Sequence, residues 1–208
     1  VDDDTIAGVF DDLAPDYDDD HHERIADRMV AGLPADAAPS LVLDIACGSG
    51  AAAFAAVRAL APERVVAVDL SARMVERARD RALTRDPGGV VDWRVGDAVP
   101  APVPDGSADL VLCASSLHFL GARALADWRR ALRPGGHLAF TLPSADTFRP
   151  SGAFRALVAA DLPLPGTEEE AAALAREAGF TGARAELVPT STERPRSVLV
   201  VHASAPRR

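Results

Sequence analysis

The stretch that most constrains this 208-residue chain is Leu41-Val-Leu-Asp-Ile-Ala-Cys-Gly-Ser-Gly50, followed at once by an alanine-rich segment. A short run of Leu, Val and Ile that ends in glycines reads as a buried strand. The alanines after it favour a helix. So tight a strand-to-helix turn needs backbone that can go left-handed and approach a ligand closely, and Gly48 and Gly50 supply it. The first helical amides then face whatever sits over the turn. About 20 residues on, Val65-Val-Ala-Val-Asp69 ends a second apolar run in a carboxylate, which at that place can accept hydrogen bonds from both hydroxyls of a ribose.

The rest of the chain repeats this rhythm. Strands are expected at Leu41–Ala46, Arg64–Val68, Val90–Val95, Asp109–Ala114, Gly136–Leu142, Ala183–Val188 and Ser197–Ala203. Helices are expected at about 20–32, 50–60, 71–84, 121–132 and 167–178. Strands that each lead into a helix or crossover predict an α/β domain with a mainly parallel sheet covered on both faces. Ser71 is placed to cap one helix, and Thr167 with Glu170 makes a capping box for another, which Gly179 then ends. Residues 189–195 are too short for a crossover helix, so the last two strands should form an antiparallel hairpin. Residues 143–166 lack strong periodicity apart from a short helical pattern at 153–160, and read as an insertion.

Composition excludes several functions. The net charge is −9, acid is concentrated near the N-terminus, and no basic stripe is visible. That argues against nucleic acid or an anionic membrane as partner. No apolar run approaches the ~20 residues of a membrane span, and the acidic start is unlike a secretory signal, so a cytoplasmic location is expected. All 22 basic residues are arginine. Without lysine there is neither a Schiff base nor a Walker-type phosphate loop. Cys47 and Cys113 lie in or beside apolar runs and read as buried reduced thiols; no metal site is expected.

The glycine turn alone is ambiguous. Gly48-x-Gly50-x-x-Ala53 also fits the dinucleotide fingerprint of a nicotinamide-dependent oxidoreductase, or a turn kept only for packing. Three more features narrow it: Asp44 inside the strand, Val95-Gly-Asp-Ala98 after the third strand, and Leu132-Arg-Pro-Gly-Gly-His-Leu138 before the fifth. In this order over residues 41–142 they resemble the class I S-adenosylmethionine-dependent methyltransferases, in particular their quinone-biosynthesis-like small-molecule branch. Ala46 departs from the glycine that many members carry. Phe10-Asp-Asp-Leu-Ala-Pro-Asp-Tyr-Asp18 is similar to a segment that folds over the cofactor in that branch, although both aromatics would equally serve to staple an N-terminal helix to the core.

The resemblance implies a Rossmann-like, doubly wound, seven-stranded sheet, mostly parallel with a C-terminal antiparallel hairpin, in a single domain over 1–208. Within it, 1–36 would be a helical lid, 41–142 the cofactor-binding core, 143–166 a substrate lid, and 167–208 the closing helix and hairpin. It further implies that Asp44, Ala46 and the Gly48–Gly50 backbone hold the methionine end of S-adenosylmethionine, and that Asp69 takes the ribose. Leu70 and Met74 would lie on the adenine and Asp97 and Ala98 at its edge. Ser115 and Ser116 would sit near the reactive methyl, with Phe10 and Tyr17 over it. S-adenosylhomocysteine would be the product. For an acceptor that must lose a proton, His118 is the first candidate base, followed by His21 and His22; a packing histidine and a solvated helix end are the plainer readings. Phe148, Phe154, Leu157, Leu162 and Leu164 suit an apolar or aromatic metabolite, and the protein would act as a monomer or homodimer. Use of the same pocket without methyl transfer, as in a cyclase, decarboxylase or non-catalytic subunit, stays open here.

Overall fold

A computed structural model describes residues 3–17, 19–35, 37–190 and 197–207. The Val/Leu/Ile runs become strands: Leu41–Ile45 (β1), Arg64–Asp69 (β2), Val91–Val95 (β3), Ala108–Cys113 (β4), Leu132–Pro143 (β5), Thr181–Pro189 (β6) and Ser197–Ser204 (β7). They form one sheet in the order β3-β2-β1-β4-β5-β7-β6. Pairing from β3 through β5 is parallel, and β7 lies antiparallel between β5 and β6. The chain starts at β1, winds out to β3, then returns past β1 to β4. That reversal splays the connections at the carboxyl ends of β1 and β4 and opens a crevice there.

The helices are Asp3–Leu13 (α1), Asp19–Ala31 (α2), Ala51–Leu60 (α3), Ala72–Arg85 (α4), Leu117–Leu120 (α5), Arg123–Ala131 (α6), Ala153–Leu157 (α7) and Glu168–Glu177 (α8). Side-chain alternation along β1 divides the core. Leu43 and Ile45 pack with Leu125 and Trp128 of α6 and Ala171 of α8, whereas Val42 packs with Met29 of α2 and Ala52 of α3. The expected caps form: Ser71 Oγ accepts from Met74 N at 3.0 Å, Thr167 and Glu170 close a capping box, and Gly179 is left-handed at φ 87°. Among the described residues, no helix is long and apolar enough to cross a membrane.

Two expectations need correction. Leu132-Arg-Pro-Gly-Gly is not a turn before β5 but its first residues. Ala108 pairs with Leu132 and Leu110 with His137, so the extra residues bulge out of the ladder. Gly136 is held tightly there, since a Cβ would lie 3.0 Å from the Arg133 carbonyl oxygen and 3.1 Å from that of Asp109. The second correction is α1, a helix absent from those expected. None of its residues is fully buried, yet Ile6, Val9, Phe10 and Leu13 recur at helical spacing along its half-buried side, so the apolar stripe that marks a helix is present in the sequence.

Candidate active site

The turn after β1 is built around positive-φ backbone: Ala46 at 51°, Gly48 at 53° and Gly50 at 88°. For Ala46 this left-handed geometry costs ~1–2 kcal/mol, the expense of an alanine where glycine would be relaxed. Asp69, at the end of β2, braces the turn from the side. Its Oδ2 accepts the Gly48 N–H at 2.7 Å and its Oδ1 the Ser71 N–H at 2.9 Å. Asp44 braces it from below, with Oδ2 accepting the Ala53 N–H in the first turn of α3 at 2.8 Å. The other oxygen, Oδ1, is buried and has no partner. Burial pushes the Asp44 carboxyl up to about 7 and raises Asp69 as well. Burial, then the nearby Asp69, also drives the Tyr17 phenol upward.

Beyond this turn lies a pocket lined by Phe10, Tyr17, Ala46, Gly48, Asp69, Leu70, Met74, Asp97 and Ala98, together with Ser116, Phe119 and Leu157. Three residues named from sequence are placed elsewhere. Asp44 sits behind the turn, in the core. Gly50 faces the packing rather than the pocket: a Cβ on it would lie 2.5 Å from Trp93 Cη2 and 2.9 Å from Phe54 Cε2. Ser115, itself left-handed at φ 63°, donates its N–H to Thr141 Oγ1 at 2.7 Å and lines a second cavity.

This second cavity, of about 720 Å³, brings together His21, His22 and His118 with Phe148 and Phe154. Four residues line both spaces: Phe10, Tyr17, Ser116 and Phe119. His118 lies between Phe119 and Phe148, with ring centroids 3.9 and 5.2 Å away. Its Nδ1 is buried without a partner, and burial pushes the imidazole down to about 4. That is well below the neutral range in which a general base works best. His22 stacks flat on Tyr17 at 4.4 Å, and His21 meets His22 edge-on at 5.1 Å. Phe148 and Phe154 reach this cavity and Leu157 the pocket, while Leu162 is buried in the core. A separate depression of about 310 Å³ lies against Arg133 and Arg207, near the starts of the central strands. Arg133 is ion-paired with Asp109 there, and ligands of open parallel sheets bind at the opposite, carboxyl end.

A cluster of arginines and acids, not foreseen from the sequence, holds α2 over the site. Arg81 Nη1 donates to Ser49 O at 2.7 Å, to Ser49 Oγ at 2.9 Å and to Asp19 at 3.1 Å, and Nη2 pairs with Glu23. Arg77 takes the other Asp19 oxygen at 2.7 Å, and Arg85 takes Glu23 at 3.0 Å. Burial alone would raise Asp19, but its bonds to Arg77 and Ser49 outweigh that and hold it below its ordinary value. A signal existed: Arg73, Arg77, Arg81 and Arg85 recur every four residues on α4, as do Asp19, Glu23 and Asp27 on α2.

The donor set suits an adenosyl amino-acid cofactor. The pocket has a carboxylate at a strand end for a ribose, an apolar wall of Leu70, Met74 and Ala98 for a purine, and buried acids beside the turn for a cationic group. Residues 43–140 match the family model described as a methyltransferase domain. The chain is 39% identical over 118 residues to 27-O-demethylrifamycin SV methyltransferase of Amycolatopsis mediterranei, covering 56% of this chain and 43% of that protein. It is 31% identical over 145 residues to 2-phytyl-1,4-naphtoquinone methyltransferase of Synechococcus elongatus, covering 65% and 62% respectively. Thus it spans about half the length of these relatives. In fold it is similar to a methyltransferase from Haloferax volcanii solved with the Trm112 methyltransferase activator (TM-score 0.71, 23% identity, 95% of this chain and 98% of that one).

Proposed function

We propose that the chain is a class I S-adenosylmethionine-dependent methyltransferase, as its match to the methyltransferase-domain model over residues 43–140 supports, and that it transfers a methyl group to an oxygen, nitrogen or carbon atom of a small-molecule metabolite. One observation carries this reading. The cofactor-type pocket and the 720 Å³ cavity meet at a common wall of Phe10, Tyr17, Ser116 and Phe119, where a donor and an acceptor can face one another.

Asp69 would hold the ribose hydroxyls, Leu70, Met74 and Ala98 the adenine, and Asp97 its edge. The turn backbone would hold the methionine end, with Asp44 behind it bracing the turn through the Ala53 N–H and lending its negative charge to the ammonium from below. When bound, S-adenosylmethionine supplies a methyl group already activated on a sulfonium. The protein's work is therefore chiefly alignment. Holding the acceptor in line at near-attack distance can contribute ~7–11 kcal/mol at best. The latch from Arg81 to Ser49, Asp19 and Glu23, with Arg77 reaching the Tyr17 carbonyl at 3.5 Å, holds the lid against the turn and supports that alignment. His118 acts as an orienting group and weak proton acceptor rather than a strong base, because it is held neutral among aromatic rings. The charge of −9 supports a metabolite rather than a nucleic acid as acceptor. Residues 1–36 and 143–166 serve as the two lids.

The test is calorimetry and thermal melting with S-adenosylmethionine, S-adenosylhomocysteine, NAD and NADP, on wild type and Asp69→Ala. Adenosyl compounds should raise the melting midpoint, and Asp69→Ala should weaken them at least ~tenfold. Binding of the nicotinamide nucleotides alone would refute the proposal. If adenosyl compounds bind but no acceptor ever yields S-adenosylhomocysteine, the pocket serves something other than methyl transfer.

A further inference from the structure

The larger cavity is lined unevenly in charge. Phe10, Phe119 and Phe154 pack on one another with centroids 5.7 to 6.3 Å apart and give it an apolar part. Thr147, Arg149 and Thr190 line it as well, and α2 contributes the imidazoles of His21 and His22. No Asp or Glu is among the described residues that line it, and Arg149 is the one permanently charged side chain there. Local backbone places that side chain. The Ser144 carbonyl accepts the N–H groups of Thr147 at 3.1 Å and Phe148 at 2.9 Å, so the chain leaving β5 folds back on itself. The guanidinium closes this turn: Nη1 donates to the carbonyls of Ala145 at 3.1 Å and Phe148 at 2.8 Å, and Nη2 to that of Asp146 at 2.9 Å. Carbonyls are neutral, so these bonds hold the group still and leave its positive charge uncompensated. Arg77, Arg81, Arg85, Arg130 and Arg133 differ, because each is paired with an Asp or Glu. Arg149 has no carboxylate within ion-pair distance among the described residues. Three of its five N–H donors are used, which leaves Nε–H and one Nη2–H for a ligand.

We propose that the molecule entering this cavity carries a carboxylate, and that Arg149 holds it as a handle away from the reacting atom. Nε and Nη2 form one edge of a guanidinium, an edge that a carboxylate can grip with both oxygens. Arg149 lines only this cavity, not the wall of Phe10, Tyr17, Ser116 and Phe119 that is shared with the cofactor-type pocket. A different atom of the same molecule therefore faces that wall. With the carboxylate fixed at one point and the body packed on Phe154, the reacting atom is kept in register, which is the form of catalysis open to a site built for alignment. The same arrangement selects by charge. An ammonium in place of the carboxylate would meet Arg149 with no acid among the described lining residues to offset it. This rests on the methyl-transfer reading for what the occupant undergoes, and adds how the occupant is recognised.

The test is calorimetry on the whole chain at low salt with three probes that share one body: 2-naphthoate, 2-naphthamide and 2-naphthylmethylammonium. The carboxylate should bind about five- to twentyfold tighter than the amide, and the ammonium weakest of the three. Arg149→Gln should abolish that preference by weakening the carboxylate at least ~fivefold, while the amide and S-adenosylhomocysteine stay within about twofold. Arg149→Lys should restore part of it, as a point charge without the planar edge. A merely structural role for Arg149 would weaken the probes alike, and that result overturns the inference. So does equal or tighter binding of the amide or the ammonium, binding of none of the three, or a preference that survives Arg149→Gln. A parallel titration with S-adenosylhomocysteine separates the two proposals. If it fails to bind while the carboxylate preference appears, methyl transfer falls and the anion site stands. If it binds and the preference is absent, the reverse holds.

Discussion

Replacing Asp44 with asparagine should stabilise the protein and impair its cofactor pocket at once. In the fold this carboxyl is raised from 3.8 to about 7, so the native state holds its proton more tightly than the unfolded chain does. Below about pH 4 both states are protonated and the group is neutral in its effect. As pH rises toward 7 the unfolded chain ionises first and stability is lost, reaching ~4 kcal/mol once pH exceeds the native value. The asparagine side chain cannot ionise and still accepts the Ala53 N–H, but it puts an amide donor where Oδ1 has no partner, at ~1–3 kcal/mol. The balance makes Asp44→Asn more stable than wild type by ~1–3 kcal/mol near pH 8, or ~3–10 °C in melting midpoint, with the curves crossing near pH 5. Urea and thermal unfolding of the cofactor-free protein at the two pH values would measure this. S-adenosylmethionine affinity should fall at least ~tenfold in the same variant. A stability difference that is the same at both pH values would mean that no carboxyl ionises in that core, and the reasoning would fail.

Three other expectations follow from the same contacts. Arg81→Ala should cost ~2–3 kcal/mol and raise the KM for cofactor and acceptor together, with Arg81→Lys recovering only part, since an ammonium lacks the fork that reaches Ser49, Asp19 and Glu23 at once; steady-state kinetics at low and high salt would show it. Gly50→Ala should lose ~2–4 kcal/mol in denaturant unfolding, from φ 88° together with a Cβ 2.5 Å from Trp93; a loss under ~1 kcal/mol would show that Trp93 yields easily. His118 is depressed to about 4 from 6.5, so as pH falls through that window the unfolded chain takes up a proton that the fold refuses, and ~3 kcal/mol of stability is lost. His118→Gln should remove that part of the acid limb in pH-dependent melting.

Where structure follows from neighbours in sequence, the chain could be read directly. The run from Leu41 to Asp69 contains its own strand, turn, helix and second strand, each marked by periodicity or glycine, and Ala46, Gly48 and Asp69 at those strand ends line one pocket. Legibility fails where a residue's role depends on a distant partner. Nothing local distinguishes Gly50, which clears space for Trp93, from Gly48, which lines the pocket. Nothing local places Asp44 behind the turn rather than in the pocket it supports. Helix α1 differs: its apolar stripe of Ile6, Val9, Phe10 and Leu13 is legible, and only its half-buried place over the pocket is not. The bulge at Pro134–Gly136 becomes visible only when β5 is laid against β4. Histidine chemistry misleads for a related reason. His118 is where a base would be wanted, but its basicity is set by Phe119 and Phe148, the second of them 30 positions away.

The shared wall divides the site into parts that can vary at different rates. Phe10, Tyr17, Ser116 and Phe119 border both spaces, so under the proposed reading any change there is filtered by two ligands. His21, His22, Thr147, Phe148, Arg149, Phe154 and Thr190 line only the acceptor side and lie outside the run from β1 to α6 that forms the other pocket's floor. Acceptor preference is thus modular. A library confined to Thr147, Phe148, Arg149 and Thr190, which avoids the rings packed on Phe10 and Tyr17, would explore new substrates with least effect on the other pocket, and natural divergence among relatives with this architecture should concentrate in the same places.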